Sequence, residues 1–282
     1  MKTKPNPSIA ILYIATGRYI VFWEHFYQSA EKYLLKGIKK QYFVFTDCEN
    51  IFGESATNVT KIHQKKLGWP YDTLMRFDIF LGAKDQISEY DYTYFFNGNT
   101  EIVAPIHCDE FLPEGVHNFV FAHQPHMFHL PRKKFTYENN PRSTACINHK
   151  KGKYYITGAL NGGRTKAYLS MCQTLSDQIH QDLANDIIAV WHDESHLNQF
   201  IIDRDDVKIL PPLFTRGETE PWKRNAKIVF SDKTHYRFGG HAYLRGETDK
   251  KISKQDWEMN HGNRNSKFSF RIKQYIKSCF LR

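Results

Sequence analysis

The 282-residue chain is short of cysteine, of long apolar runs and of internal repeats, and each shortage removes a class of protein. Its five cysteines (Cys48, Cys108, Cys146, Cys172 and Cys279) are odd in number, widely spaced and never paired as C-x-x-C. A disulfide framework and a zinc ribbon are thereby excluded, and reduced thiols are expected. No apolar stretch approaches the ~20 residues that a membrane-crossing helix needs. The opening MKTKPNPSIAILYIATG is basic, but Tyr13 breaks its short apolar run. It reads as a first buried strand and not as a signal peptide, so a cytoplasmic protein is expected. The sequon Asn58-Val59-Thr60 then has no use, because it matters only in a secretory compartment. Acid is scarce relative to base: 30 acidic residues face 39 basic ones, a net charge of +9. Such an excess suits nucleic acid, anionic lipid or a phosphorylated small molecule. Much of it lies in the last forty or so residues, which argues against nucleic acid as a partner.

What is present is a chain with 41% apolar and 15% aromatic residues, enough for a compact α/β core with aromatic-lined clefts. Ser8–Thr16 reads as a buried strand ending at Gly17. Val21–Leu35 has helical apolar spacing and stops at Gly37. Tyr42–Thr46 is a second strand, so the order is βαβ and the sheet begins parallel. Asn58–His63 predicts a third strand, Thr73–Leu81 a helix, and Tyr92–Phe96 an aromatic strand running into Asn97-Gly98-Asn99. Strands are expected at Asn118–Ala122, Lys153–Thr157 and Val207–Leu210, with a long helix over Thr165–Leu183 and an irregular polar region after residue 210. In open α/β sheets ligands bind beyond the carboxyl ends of strands, which gathers Ala15–Gly17, Asp47 and Asn97–Asn99 into one crevice. One domain over residues 1–250 is expected, followed by a basic extension over 251–282.

Two motifs carry the chemistry. The first is Trp191–Asn198, W-H-D-E-S-H-L-N, with two acids and two histidines in five positions. On a helix, His192 and His196 would share a face, while Glu194 would point about 200° from His192. The segment reads as a near-miss of the zinc motif H-E-x-x-H, as a metal-free carboxylate site, or as a polar helix start capped by Asp193 or Ser195. Zinc fits poorly, because Asp193 stands where the motif has glutamate and a third ligand is lacking. The second motif is Asn97-Gly98-Asn99, which reads either as a hairpin turn or as a substrate-binding turn after a strand.

With both motifs in view, the chain resembles glycosyltransferase family 6. The resemblance spans about Ile11 to Arg245, and its most specific segment is Trp191–Asn198. Ala15–Tyr19, Tyr42–Asp47, Trp69 with Met75-Arg76, Glu89–Tyr92, Phe135–Glu138 and Tyr154-Tyr155 leading to Gly162-Gly163 match in the family's order. The resemblance implies a GT-A nucleotide-sugar transferase fold with a Rossmann-like mixed sheet. It also implies retaining transfer of N-acetylgalactosamine or galactose from UDP to O3 of a galactose that carries an α-1,2-fucose. The family's animal enzymes place Asp-x-Asp and manganese where this chain has Asn97-Gly98-Asn99. The change implies the bacterial, metal-independent branch, with no cofactor and no metal ligand. Asparagine oxygens are neutral and hold a divalent ion far less well.

Roles implied by the resemblance follow residue by residue. Glu194 is the carboxylate beside the anomeric carbon. Ala15 and Tyr19 contact uridine, Arg76 touches donor sugar and diphosphate, and Asn97 and Asn99 hydrogen-bond ribose or sugar. Asp193 holds donor hydroxyls. Lys233 meets the phosphates, with Arg245 or Arg237 as its companion. Trp191, His192, Gln124 and His126 form the acceptor side. Thr157-Gly158-Ala159 matches the donor-discriminating segment; its small residues favour N-acetylgalactosamine, with galactose as the alternative. An inactive carbohydrate-binding protein on the same fold is the non-enzyme reading. Beyond the resemblance, Ser266–Arg282 reads as a basic amphipathic helix suited to peripheral contact with an anionic inner membrane.

Overall fold

The computed structural model describes residues 7–148, 150–220 and 225–265. A seven-stranded mixed sheet forms its centre, in the order β3-β2-β1-β4-β7-β6-β8. Its strands are β1 (Ser8–Ile14), β2 (Lys39–Thr46), β3 (Val59–His63), β4 (Tyr92–Phe96), β6 (Phe119–His123), β7 (Ile156–Arg164) and β8 (Val207–Leu210). A smaller sheet runs β5-β10-β9, from β5 (Thr100–Ile102), β9 (Arg216–Gly217) and β10 (Ile228–Phe230). Strand β1 pairs in parallel with β2 and β4, as the βαβ order requires. Strand β7 runs antiparallel to both β4 and β6, which makes the sheet mixed. This is the GT-A-like arrangement.

Both faces of β1 are buried, which explains its unbroken apolar run. Ile9, Ile11 and Tyr13 face α1 (Trp23–Tyr33), whose Trp23, Phe26 and Ala30 spacing fills that layer. Ala10 and Leu12 face the opposite layer, beneath α2 (Tyr71–Leu74), α3 (Arg76–Leu81), α4 (Lys84–Ile87) and α6 (Thr165–Leu183). The remaining helices are α5 (Cys108–Phe111), α7 (Asp193–Phe200), α8 (His241–Arg245) and α9 (Lys254–Asn265). None of the described helices is long and apolar enough to cross a membrane. Among the described residues, Cys48, Cys108, Cys146 and Cys172 are free thiols.

Several expected elements shift. The helix expected over Val21–Leu35 opens as a 3-10 turn, Gly17–Phe22, and becomes α-helical only at Trp23. The Thr73–Leu81 helix is split at Met75 into α2 and α3. The strand expected at Lys153–Thr157 lies at Ile156–Arg164 instead. That strand is rich in glycine because its neighbours leave no room: a Cβ on Gly162 would stand 2.3 Å from the Tyr94 ring, and one on Gly163 2.2 Å from the Asn118 carbonyl oxygen. Asn97-Gly98 closes no hairpin, because β4 lies in the large sheet and β5 in the small one. The polar region after residue 210 contains β9, β10, α8 and α9. Ile252 donates its N–H to the Gly239 carbonyl at 3.0 Å and the Trp257 ring packs on His235, so the start of the extension is tied to the domain. The helix expected over Ser266–Arg282 lies outside the described residues.

Candidate active site

A cavity of about 390 Å³ opens at the carboxyl edge of the sheet. Its walls come from distant stretches of chain: Thr16 and Tyr19 after β1, Trp69 to Arg76 around α2, Asn97 and Gly98 after β4, Gln124 after β6, Thr157–Ala159 on β7, Trp191–Glu194, and Lys233, His241 and Arg245. Strand ends bring these segments together, as expected for an open α/β sheet.

The acidic side is built around Gly158. Its N–H donates to Glu194 Oε2 at 2.8 Å, and its carbonyl accepts from Arg76 Nη1 at 2.7 Å. Arg76 Nη2 lies 3.2 Å from Asp193 Oδ2, and both side chains are nearly buried. One residue therefore fixes the carboxylate and the guanidinium in a common frame. A Cβ at position 158 would meet Asp193 Oδ2 at 2.9 Å and Glu194 Cβ at 3.3 Å, so a side chain there would displace both acids. Burial raises the Asp193 carboxyl to about 6, with Arg76 opposing. Burial likewise raises Glu194 to about 7; the Gly158 N–H opposes, the Asp193 charge adds to the rise, and Tyr155 and Arg76 oppose. Two adjacent acids with raised pKa values beside a cleft mark a candidate reacting site.

The basic side faces them. Burial, then Arg245 and Arg76, depress the Lys233 ammonium to about 8. Burial, then Arg245 and Lys233, push the His241 imidazole down to about 4, so it is neutral at pH 7. The Arg245 guanidinium lies 4.0 Å from the Trp69 ring centre, and its Nε is buried without a hydrogen-bond partner. Such a cluster is a ready seat for a polyanion.

A comparison with known proteins identifies the chemistry. The family model described as glycosyltransferase family 6 matches residues 2–236. The chain belongs to glycosyltransferase family 6. This enzyme, a hexosyltransferase, is 31% identical over 80% of its length to the Escherichia coli O-antigen biosynthesis glycosyltransferase WbnI, of which it covers 94%. It is 28% identical over 79% of its length to the mouse globoside alpha-1,3-N-acetylgalactosaminyltransferase 1, covering 65% of that protein. It is 27% identical over 73% of its length to the rat histo-blood group ABO system transferase 1, covering 60% of it. The family 6 chain thus spans nearly all of the bacterial relative and under two thirds of these animal ones.

Most of the residues singled out in the family 6 sequence meet in this cavity: Tyr19, Arg76, Asn97, Gln124, Thr157, Gly158, Ala159, Trp191, His192, Asp193, Glu194, Lys233 and Arg245. Four do not line it. Ala15 is fully buried behind the wall, with its N–H on the Phe45 carbonyl. Asn99 is buried beneath Asn97: its Oδ1 accepts from Asn97 Nδ2 at 2.8 Å, and its own amide donates to the Ser231 carbonyl at 2.6 Å. His126 is exposed and turns to Glu220 at 3.8 Å. Arg237 is ion-paired with Glu218 and packs on Phe238, so Arg245 is the arginine that stands with Lys233. Asp47, expected in the crevice, instead accepts the Gly17 N–H at 2.6 Å and shapes the turn.

His192 and His196 do not share a helix face. Helix α7 starts at Asp193, and His192 precedes it with φ 53° and ψ −126°. The Ser195 hydroxyl accepts the Trp191 N–H at 3.0 Å, so Ser195 braces the entry and neither it nor Asp193 is the cap residue. His192 thus turns into the cleft, edge-on to Trp69 at 4.6 Å, while His196 is fully buried and depressed to about 4 by its burial. Trp69, Asp72 and His241 were not singled out as site residues; Trp69 was visible only as a matching aromatic, and nothing in the local sequence marks His241.

Proposed function

We propose that this hexosyltransferase moves N-acetylgalactosamine from UDP to O3 of a fucosylated galactose, with retention and without a metal ion. The observation that carries the reading is a carboxylate, Glu194, set across one cleft from Lys233 and Arg245 and fixed through Gly158 to Arg76. The cations receive the diphosphate and stabilise its charge as the bond to the sugar breaks. Glu194, ionised, stands at the anomeric carbon and either bonds to it or shields the oxocarbenium-like ion, while the acceptor hydroxyl enters from the leaving-group side. Asp193 holds sugar hydroxyls, and the exposed Trp191 ring and Gln124 receive the acceptor. The mouse relative's printed activity and the small Thr157-Gly158-Ala159 wall favour N-acetylgalactosamine; galactose is the alternative donor.

A manganese ion does not suit this donor set. Asn97 and Asn99 carry no charge, and the Asn99 oxygen is engaged by the Asn97 amide. Among the described residues no group of three His, Cys, Asp or Glu side chains is placed to hold a metal. The cluster of Arg76, Lys233 and Arg245 supplies the positive charge instead. The test is incubation of the protein with UDP-N-acetylgalactosamine or UDP-galactose and 2′-fucosyllactose in EDTA. Trisaccharide-plus-one product is expected in EDTA; activity that appears only on adding Mn²⁺ refutes the metal-free reading. Glu194→Gln is expected to lose at least about 100-fold in kcat while binding UDP normally; near-normal turnover removes Glu194 from the chemistry.

A further inference from the structure

The Phe135–Glu138 segment has no part in the reaction as proposed, yet it reaches the catalytic segment twice. The Glu138 carboxylate accepts the Val190 N–H at 2.7 Å, which holds the chain entering Trp191. Thr136 Oγ1 accepts the Trp191 indole N–H at 3.0 Å and lies 3.1 Å from the Tyr155 hydroxyl, to which it donates. The Tyr155 hydroxyl in turn faces the Glu194 carboxylate and lowers its pKa.

The direction of this chain is set by chemistry. An indole N–H donates and never accepts. The Thr136 oxygen that receives it has its own proton left for Tyr155. Tyr155, receiving that proton, is left with its own O–H to offer to Glu194. A donor aimed at a carboxylate favours the ionised form. The groups facing Glu194 are then the Gly158 N–H on β7, Tyr155 just before that strand, Asp193 on α7 and Arg76 on α3. Of these, Tyr155 is hydrogen-bonded through Thr136 to the Trp191 ring, which is 47% exposed, with Thr136 exposed beside it. Water competes for both groups there. A sugar ring laid over Trp191 excludes that water and shortens the chain.

We propose that Tyr155 and Thr136 are positioning residues for Glu194, and that the chain Trp191–Thr136–Tyr155 couples occupation of the acceptor side to the orientation and charge of the carboxylate. The proposal rests on the reading of Glu194 as the reacting carboxylate. It goes beyond that reading by giving the acceptor a route to the acid that does not pass through the donor sugar.

The experiment follows the Glu194 carboxyl by NMR in protein labelled with ¹³Cδ-glutamate, its signal assigned by loss in Glu194→Gln. Tyr155→Phe is expected to raise the titration midpoint by about one pH unit. The acid limb of kcat should move with it while UDP affinity stays constant. The phenylalanine ring keeps the stacking on Tyr137, 5.3 Å away, so the fold is retained. Thr136→Val should raise the midpoint less, and Thr136→Ser should return it to the parent value. Adding 2′-fucosyllactose to the UDP complex should lower the midpoint in the parent protein and not in Thr136→Val. An unchanged midpoint in Tyr155→Phe, or a serine variant that behaves like the valine one, overturns the proposal. Normal turnover in Glu194→Gln overturns the catalytic reading instead, and the titration is read without reference to activity.

Discussion

Lys233 stands in a wall with Arg76 and Arg245, and its depressed pKa of about 8 has a sign that can be worked out. The folded chain binds fewer protons at this lysine than the unfolded chain does. Folding is therefore penalised below about pH 8, and the penalty fades as pH rises toward the ordinary lysine value. A bound diphosphate reverses the shift, because it favours the charged form. UDP affinity should be highest below about pH 8 and fall above it. Binding at pH 8.5 to 9 should take up a proton, seen by calorimetry in two buffers of different ionisation enthalpy; Lys233→Met should abolish the uptake, and uptake unchanged in that variant would assign the proton elsewhere. At this scale the sequence singled out Lys233 and left its companion open between Arg237 and Arg245. Arg237 and Arg245 follow at spacings that say nothing about direction. The chain turns at Gly239 and Gly240, with φ 84° and 87°, and brings back Arg245 together with His241. Glycines signal a turn but not where the chain goes after it.

Among the elements, β1, β4 and α6 were legible because hydrophobic pattern and packing agree there. Tyr92–Phe96 is buried throughout, and the helix spacing from Tyr168 through Leu175 to Ile179 matches the buried face of α6. Strand β7 was not legible. Its residues G-A-L-N-G-G are poor strand formers, and their reason is contact with Tyr94 and Asn118, which are distant in sequence. Gly162→Ala should cost roughly 1–3 kcal/mol, because its new carbon meets both a buried ring and the Thr93 carbonyl. A urea titration checks this; an unchanged midpoint would mean that β4 and β7 can separate at no cost. Helix α7 failed at its first turn for a related reason. W-H-D-E-S-H offers Asp193 or Ser195 as the cap, whereas the helix is entered through His192, whose φ of 53° and ψ of −126° lie outside the left-handed well where histidine is enriched and carry no local signal.

At the scale of the whole molecule, most of the residues that the family resemblance singled out meet in one cavity, and the two sheets show how it is assembled. The large sheet presents Asn97 and Gly158, with Glu194 held on the Gly158 N–H from α7, while the segment after β10 in the small sheet presents Lys233. Asn99 joins the two: its amide donates to the Ser231 carbonyl, and its own carbonyl accepts the Ser231 N–H at 2.8 Å. Asn99→Asp would turn a donor into a second acceptor facing that carbonyl. It should loosen the Lys233 segment, weakening UDP binding by roughly tenfold, an effect on the order of 1–2 kcal/mol. Surface plasmon resonance or calorimetry would show it; tighter UDP binding in Mn²⁺ would instead mean that a carboxylate here recreates a metal site. The division also sets an order of synthesis. All seven strands of the large sheet and Glu194 leave the ribosome before Lys233, His241 and Arg245 do. A chain that has reached only β8 therefore carries Glu194 without Lys233 and Arg245 across the cleft, and the charge of the site is balanced only once its last wall has been made.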